Sequence, residues 1–258
     1  MKFIMREHLL PWIASDLMHQ DILHRTFLTQ GIPESVLANQ LSEWESSLPD
    51  QLELAYLPSP GIVKLRLTAR GNKEALMPLF EEQEALLRKE LGDAIYGTGA
   101  ASLQEVIGQM LLEHGATLTT AESCTGGYIA HLVTSVAGSS RYFLGSVVSY
   151  ANEVKVDSLG VDAKSIEAHG AVSEAVICQM AEGGRKRLNS DYCLATSGIA
   201  GPGGGSEDKP VGTVWIALAG PKGTSATQFR FSRRRDHNIR RTALMAMDIL
   251  RKELIATK

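Results

Sequence analysis

The sequence predicts an α/β protein: a three-layer domain with a mixed, mostly parallel sheet flanked by helices, preceded by a small α+β domain. Three observations carry this. From Ser102 onward, short strand-like runs alternate with segments of helical spacing. Before Ser102, strands and helices follow the order β-α-β-β-α. At 258 residues the chain is long enough for two ordinary domains with their own cores. The expected boundaries are 1–97 for the first domain and 102–258 for the second.

In the first domain, Met1 to about Met18 reads as a helix interrupted near Pro11, where proline cannot continue the hydrogen-bond ladder. Asp21 to Thr29 reads as a strand. Pro33 then opens a helix that runs to about Trp44. Gln51–Leu57 and Gly61–Ala69 are strands around the turn Pro58-Ser59-Pro60-Gly61. In the second of them Val63, Leu65 and Leu67 alternate with Lys64, Arg66 and Thr68, so one face is buried. Asn72–Leu91 is a long helix. Gly92 to Ala101, with Gly97-Thr98-Gly99, reads as a linker.

In the second domain, Ser102 caps a helix with Glu105 three positions on, a capping-box pattern. The next stretch, TLTTAESCTGGYIAHLV from Thr117 to Val133, organises the rest. It passes from a strand through a sharp turn to a helix, with Ser123 in the turn. Phe143–Tyr150 is a strand and Asn152–Leu159 a short helix. A long helix starts at Ser173. Asp191–Ser197 is a strand that empties into a glycine-rich loop. Gly212–Ala219 and Ser225–Phe231 read as an antiparallel hairpin, which makes the sheet mixed. His237 to about Ile255 is the closing helix.

Composition narrows the function. Apolar residues make up 44% and charged residues 21%, with a net charge of −3 and a pI near 6.2. The whole molecule carries no basic bias towards nucleic acid or anionic membrane. No apolar run approaches the ~18 residues that span a bilayer, and the N-terminal MKFIMREHLLPWI is not read as a signal peptide. Three cysteines, Cys124, Cys178 and Cys193, lack CxxC spacing and fit free thiols in a reducing cytoplasm. The histidines show no metal-site spacing. No metal and no cofactor are expected.

Ser123 stands where a strand hands over to a helix N-terminus, a place suited to a phosphate or a developing oxyanion. Thr125, Gly126 and Gly127 would let a ligand approach the backbone. Capping serines outnumber catalytic ones, so the local pattern alone favours a cap. The loop SGIAGPGGGSEDKPVG, Ser197–Gly212, holds six glycines and two prolines after a strand end, where open α/β sheets bind ligands. Ser197, Gly198, Gly201, Gly204 and Gly205 are its candidate ligand-binding residues, and a plain surface loop is the alternative. Read locally, Lys155 is an ordinary surface lysine. It becomes a base only if it is desolvated near Ser123, with Tyr150 positioning the proton. Arg235 and Arg240 offer guanidinium donors for a phosphate near the last helix. The competing function is a phosphate- or nucleotide-binding module in which Ser123 does no chemistry.

TAESCTGG, the stretch Ser149–Lys155, Gly170-Ala171-Val172-Ser173 and SGIAGPGGGSEDKPVGTVW together resemble the C-terminal domain of the CinA family, the competence-damage inducible proteins. Residues from Met1 to about Gly97 resemble the middle region of full-length CinA, most of all in LAYLPSPGIVKLRLTA. The N-terminal molybdopterin-binding-like domain of that family has no counterpart here, and its pyrophosphatase activity is not transferred. The resemblance implies a cytoplasmic nicotinamide mononucleotide amidohydrolase of pyridine nucleotide recycling. It implies Ser123 as nucleophile with Tyr150 and Lys155 as the activating pair, and a small-molecule mononucleotide as substrate. Neither nucleic acid nor membrane is an expected partner, and a homodimer is expected.

Overall fold

The computed structural model describes residues 2–16 and 22–257. The chain divides into two units, Met1–Ala100 and Ala101–Lys258.

The first unit opens with helical residues α1 (Lys2–Ile4), a π turn (Met5–Leu9) and α2 (Leu10–Asp16). Regular α-helix is thus interrupted near Pro11, by a π turn that ends at Leu9, while Pro11 itself lies in the first turn of α2. The predicted helix ends Met1, Leu17 and Met18, and the predicted strand start Asp21, lie outside the described residues. There follow β1 (Ile22–Gln30), α3 (Glu34–Ser46), β2 (Leu52–Ser59), β3 (Ile62–Arg70), α4 (Lys73–Leu91) and β4 (Ile95–Thr98). The four strands form an antiparallel sheet in the order β2-β3-β1-β4. The alternation in β3 holds: Val63, Leu65, Leu67 and Ala69 enter a core with Phe27, Leu41 and Phe80.

The stretch expected as a linker is different. Ile95–Thr98 is a strand that pairs with β1, and Ile95 joins the core. Four residues beside two glycines are too short for an alternation to show. What fixes them is the free edge of β1, which supplies backbone partners.

The second unit contains α5 (Leu103–His114), β5 (Leu118–Glu122), α6 (Tyr128–Thr134), β6 (Phe143–Val148), α7 (Asn152–Leu159), α8 (Ala163–His169), α9 (Glu174–Leu188), β7 (Tyr192–Gly198), β8 (Thr213–Gly220), β9 (Gly223–Arg230) and α10 (Arg235–Ala256). The capping box of α5 is formed in both directions between Ser102 and Glu105. The sheet runs β6-β5-β7-β8-β9. The first three strands are parallel and the last two antiparallel. α9 packs on β5, β7, β8 and β9, with α7 and α8 beside it; α10 covers β7 and β8 from the other side, with α5 and α6. Every residue of β5 is buried, because helices cover both faces of that strand.

From β5 the chain goes to β6 on one side and then to β7 on the other. The strand order therefore reverses at β5, and the carboxyl ends of β5 and β7 flank the switch-point crevice.

Candidate active site

In the sheet register Glu122 lies opposite Val148 of β6 and Thr196 of β7. The ladder extends one step past the strand ends: the Ser123 amide donates to the Thr196 carbonyl at 2.9 Å, and the Ser149 amide to the Glu122 carbonyl at 2.8 Å. Ser149, Ser123 and Ser197 thus stand side by side in one row. Alternation puts them on the face of Val147, Ala121 and Ala195, which pack against the core shared with α7 and α9. Lys155 comes from α7. Ser123 and Lys155 therefore approach from the same face of the sheet.

Lys155 is no surface residue: only 1% of it is exposed. Its Nζ donates to the carbonyl oxygens of Ser149, at 2.8 Å, and Tyr150, at 3.2 Å. No carboxylate pairs with it among the described residues. Burial pulls its pKa below the ordinary 10.5, with the neighbouring Cys124 and Glu153 opposing the shift. A neutral amine has two N–H groups and a lone pair. Two carbonyls take the N–H groups and leave the lone pair for a proton. Gly183 of α9 holds α7 in place, since a Cβ there would collide with the Leu159 carbonyl.

Ser123 is 9% exposed, and its side chain caps nothing: the N-cap of α6 is Gly127, without a side-chain cap bond. The residue that serves α6 is one the sequence analysis missed. Glu122 is fully buried, and its carboxylate accepts from the amides of Gly127 (3.0 Å), Ile129 (3.1 Å) and Ala130 (2.8 Å), and from Thr120 Oγ1 (3.1 Å). This corrects an expectation. The amides at the start of α6 are not open to a ligand phosphate, because a protein carboxylate already fills that place. The signal was available: a glutamate ending the buried run LTTAE needs partners.

The turn residues follow suit. Gly126 (φ 60°) and Gly127 (φ 94°) occupy the left-handed region, so the backbone itself requires glycine at both positions. Thr125 is buried, its hydroxyl 2.7 Å from that of Thr196. The amides of Gly126 and Tyr128 are paired within the turn. Those of Cys124 and Thr125, the next two residues after Ser123, donate to no oxygen among the described residues, and the Cys124 amide lies against its own Sγ. Cys124 offers no competing nucleophile: burial pushes its thiol up to about 12, so it stays protonated at neutral pH.

Tyr150 lies elsewhere than its expected role required. Its side chain is 60% exposed, and its hydroxyl accepts from Arg235 Nη2 at 2.9 Å rather than meeting Ser123 or Lys155. Only its carbonyl reaches Lys155. The Nη1 of Arg235 donates to the Gly201 carbonyl at 3.0 Å. Both partners are neutral, and no carboxylate pairs with the guanidinium among the described residues. Arg240 is exposed and lies about 140° round α10 from Arg235, so the structure does not bring the two together.

In the glycine-rich loop, Ser197 is buried and donates to the Ala171 carbonyl at 2.8 Å. A Cβ at Gly198 would crowd Val214 and Thr213, and one at Gly205 would crowd Val211, so these two glycines serve packing. Gly201 and Gly204 have φ of 91° and 85°. Lys209 closes the loop onto the α8–α9 connection by donating to the His169 carbonyl at 2.6 Å. Among the described residues no group of three or more His, Cys, Asp or Glu side chains is placed to hold a metal ion. No helix among the described residues is long and apolar enough to cross a membrane.

A cavity of 530 Å³ lies at the opposite end of the sheet, lined by residues including His114, Asp191, Tyr192 and Lys222. The desolvated lysine, the amides that follow Ser123 and the arginine without a carboxylate all converge instead on the strand carboxyl ends.

Fold and site define a three-layer α/β protein with a serine turn and a buried lysine at the switch point of its sheet. The chain belongs to the CinA family: residues 100–254 match the CinA C-terminal domain, and residues 24–97 match the damage-inducible protein CinA KH domain. The CinA-like protein of Cytophaga hutchinsonii is 44% identical over 238 residues, which cover 92% of this chain and 57% of that protein. The one from Flavobacterium psychrophilum is 41% identical over 257 residues, covering 99% and 62%. The chain thus spans about three fifths of the length of these curated relatives. Two crystal structures have a similar fold, each with a TM-score of 0.58. A CinA superfamily protein from Klebsiella pneumoniae is 33% identical, covering 60% of this chain and 96% of its own. The competence/damage inducible protein CihA from Agrobacterium tumefaciens is 37% identical, covering 59% and 93%. Residues 24–97 contain no G-x-x-G, the loop with which KH domains clamp a nucleic-acid backbone.

Proposed function

We propose that this chain is a serine amidohydrolase that converts nicotinamide mononucleotide to nicotinate mononucleotide and ammonia, in cytoplasmic pyridine nucleotide recycling. The observation that carries the proposal is Lys155: fully buried, without a carboxylate, its N–H groups on two carbonyls beside the Ser123 turn. Burial lowers the pKa of such a lysine, which favours the neutral amine that a general base requires.

Ser123 Oγ attacks the carboxamide carbon while its proton passes to Lys155. The oxyanion that forms is taken by the amides of Cys124 and Thr125. The Lys155 ammonium returns the proton to the departing nitrogen. Water then hydrolyses the ester at Ser123 by the same route. Arg235 takes the phosphate, because its charge has no carboxylate partner among the described residues, whereas Glu122 repels an anion from the start of α6. That repulsion also weighs against a nucleotide-binding module centred on the serine turn.

The test is incubation of the protein with nicotinamide mononucleotide and a chelator. Ammonia and nicotinate mononucleotide should appear in equal amounts. Folded protein that releases no ammonia above the blank contradicts the proposal and favours the binding module.

A further inference from the structure

Ser149 is fully buried, and its Oγ has no hydrogen-bond partner among the described residues. An unpaired buried hydroxyl is costly, and native proteins retain few of them. This one lies between the two groups that the proposed chemistry must connect. On one side, its own carbonyl accepts from Lys155 Nζ at 2.8 Å. On the other, it stands in the row beside Ser123, one step past the register pair Glu122 and Val148. The same two strands show what such a pair can reach. Thr120 and Ser146 are register partners three residues earlier, and their hydroxyl oxygens lie 2.7 Å apart, with the Thr120 proton directed to Glu122. No hydrogen bond joins Ser123 to Lys155 among the described residues, and the Tyr150 hydroxyl is engaged with Arg235.

We propose that Ser149 is a positioning residue whose hydroxyl links Ser123 to Lys155, in the place expected of Tyr150. The inference rests on the reading of Ser123 as a nucleophile. Rotation about χ1 lets Ser149 Oγ accept from the Ser123 hydroxyl while donating to the Lys155 lone pair. As the Ser123 oxygen bonds to the acyl carbon, its proton moves to Ser149 Oγ, and the Ser149 proton moves to Lys155. Ser149 ends as a neutral hydroxyl and Lys155 as an ammonium. Collapse of the tetrahedral adduct runs the same transfers backwards, with the leaving nitrogen taking the proton. Tyr150 then only walls the site, held by Arg235.

The experiment measures labelling of Ser123 by a fluorophosphonate, followed by mass spectrometry from neutral to alkaline pH, with nicotinamide mononucleotide turnover measured in parallel. In the parent protein the labelling rate should rise with pH as Lys155 loses its proton. Ser149→Ala should slow labelling by about a hundredfold, the usual scale of positioned proton transfer, and abolish that pH dependence. Ser149→Thr, which keeps a hydroxyl, should restore most of the rate, and Tyr150→Phe should stay within about threefold of the parent. The melting temperature of Ser149→Ala should be unchanged or higher, since no bond is lost. A Ser149→Ala protein that labels like the parent, with the same pH profile, overturns the proposal. A loss that appears in Tyr150→Phe and is not restored by Ser149→Thr also overturns it, and returns the relay to Tyr150. A parent protein that labels at Ser123 but releases no ammonia contradicts the substrate reading alone, and the labelling series still decides the role of Ser149.

Discussion

Ser123→Ala lowers kcat by roughly a thousandfold or more while leaving the melting temperature nearly unchanged, and Lys155→Met lowers it by a similar factor. The double variant is little worse than either, because a nucleophile and its base fail as one unit. A capping serine would behave differently, costing about 1 kcal/mol of stability and little turnover. The structure already separates these cases, since α6 is capped without Ser123. Lys155 adds a second readout. Burial lowers its folded pKa below the unfolded value, so the folded chain binds fewer protons than the unfolded chain between the two. Stability therefore rises with pH through that window, up to the ordinary lysine value of 10.5. Lys155→Met should remove this slope and stabilise the protein at neutral pH, even as activity is lost. Chemical denaturation across the alkaline range checks both statements.

Glu122→Ala unfolds or severely loosens the site. The carboxylate satisfies three amides at the start of α6 and the hydroxyl of Thr120. Stranding buried donors costs about 1–3 kcal/mol each, so a loss of roughly 3 kcal/mol or more is expected. Glu122→Gln is the sharper variant. Its shape is nearly the same, but its amide nitrogen cannot accept, so it should still lose about 1–3 kcal/mol for the unmatched donor. Because Glu122 anchors the turn that carries Ser123, activity should fall together with stability in both variants. Equilibrium denaturation alongside turnover tests this. A Glu122→Gln protein with parental stability would show that the α6 amides find other acceptors.

The fold was legible where periodicity is strong. The alternation in Val63–Leu67, the capping box at Ser102 and the strand–turn–helix around Ser123 all appear in the structure. The misses have physical reasons. β4 is held by the open edge of β1 rather than by its own pattern, so its residues read as a linker. α8 follows from the Asp162 cap, but at seven residues its period is too short to count. Within the site, sequence spacing marks which turns matter but carries no information about side-chain direction. It pairs Tyr150 with Lys155 by proximity along the chain, whereas the fold sends the phenol to Arg235 and leaves Ser149 buried beside the lysine. It treats the α6 N-terminus as an open anion site, because the carboxylate that fills it comes from the preceding strand. Arg235 and Arg240 look equivalent in the chain, and helical geometry separates them.

The claim that organises these observations is that Ser123 forms a covalent ester during amide hydrolysis. The most direct measurement is rapid acid quenching of the protein during turnover of nicotinamide mononucleotide, followed by peptide mass spectrometry. The expected result is a nicotinoyl mononucleotide ester on the peptide containing Ser123, absent from Ser123→Ala. Ammonia release with that peptide unmodified throughout, and undiminished in Ser123→Ala, would contradict the claim.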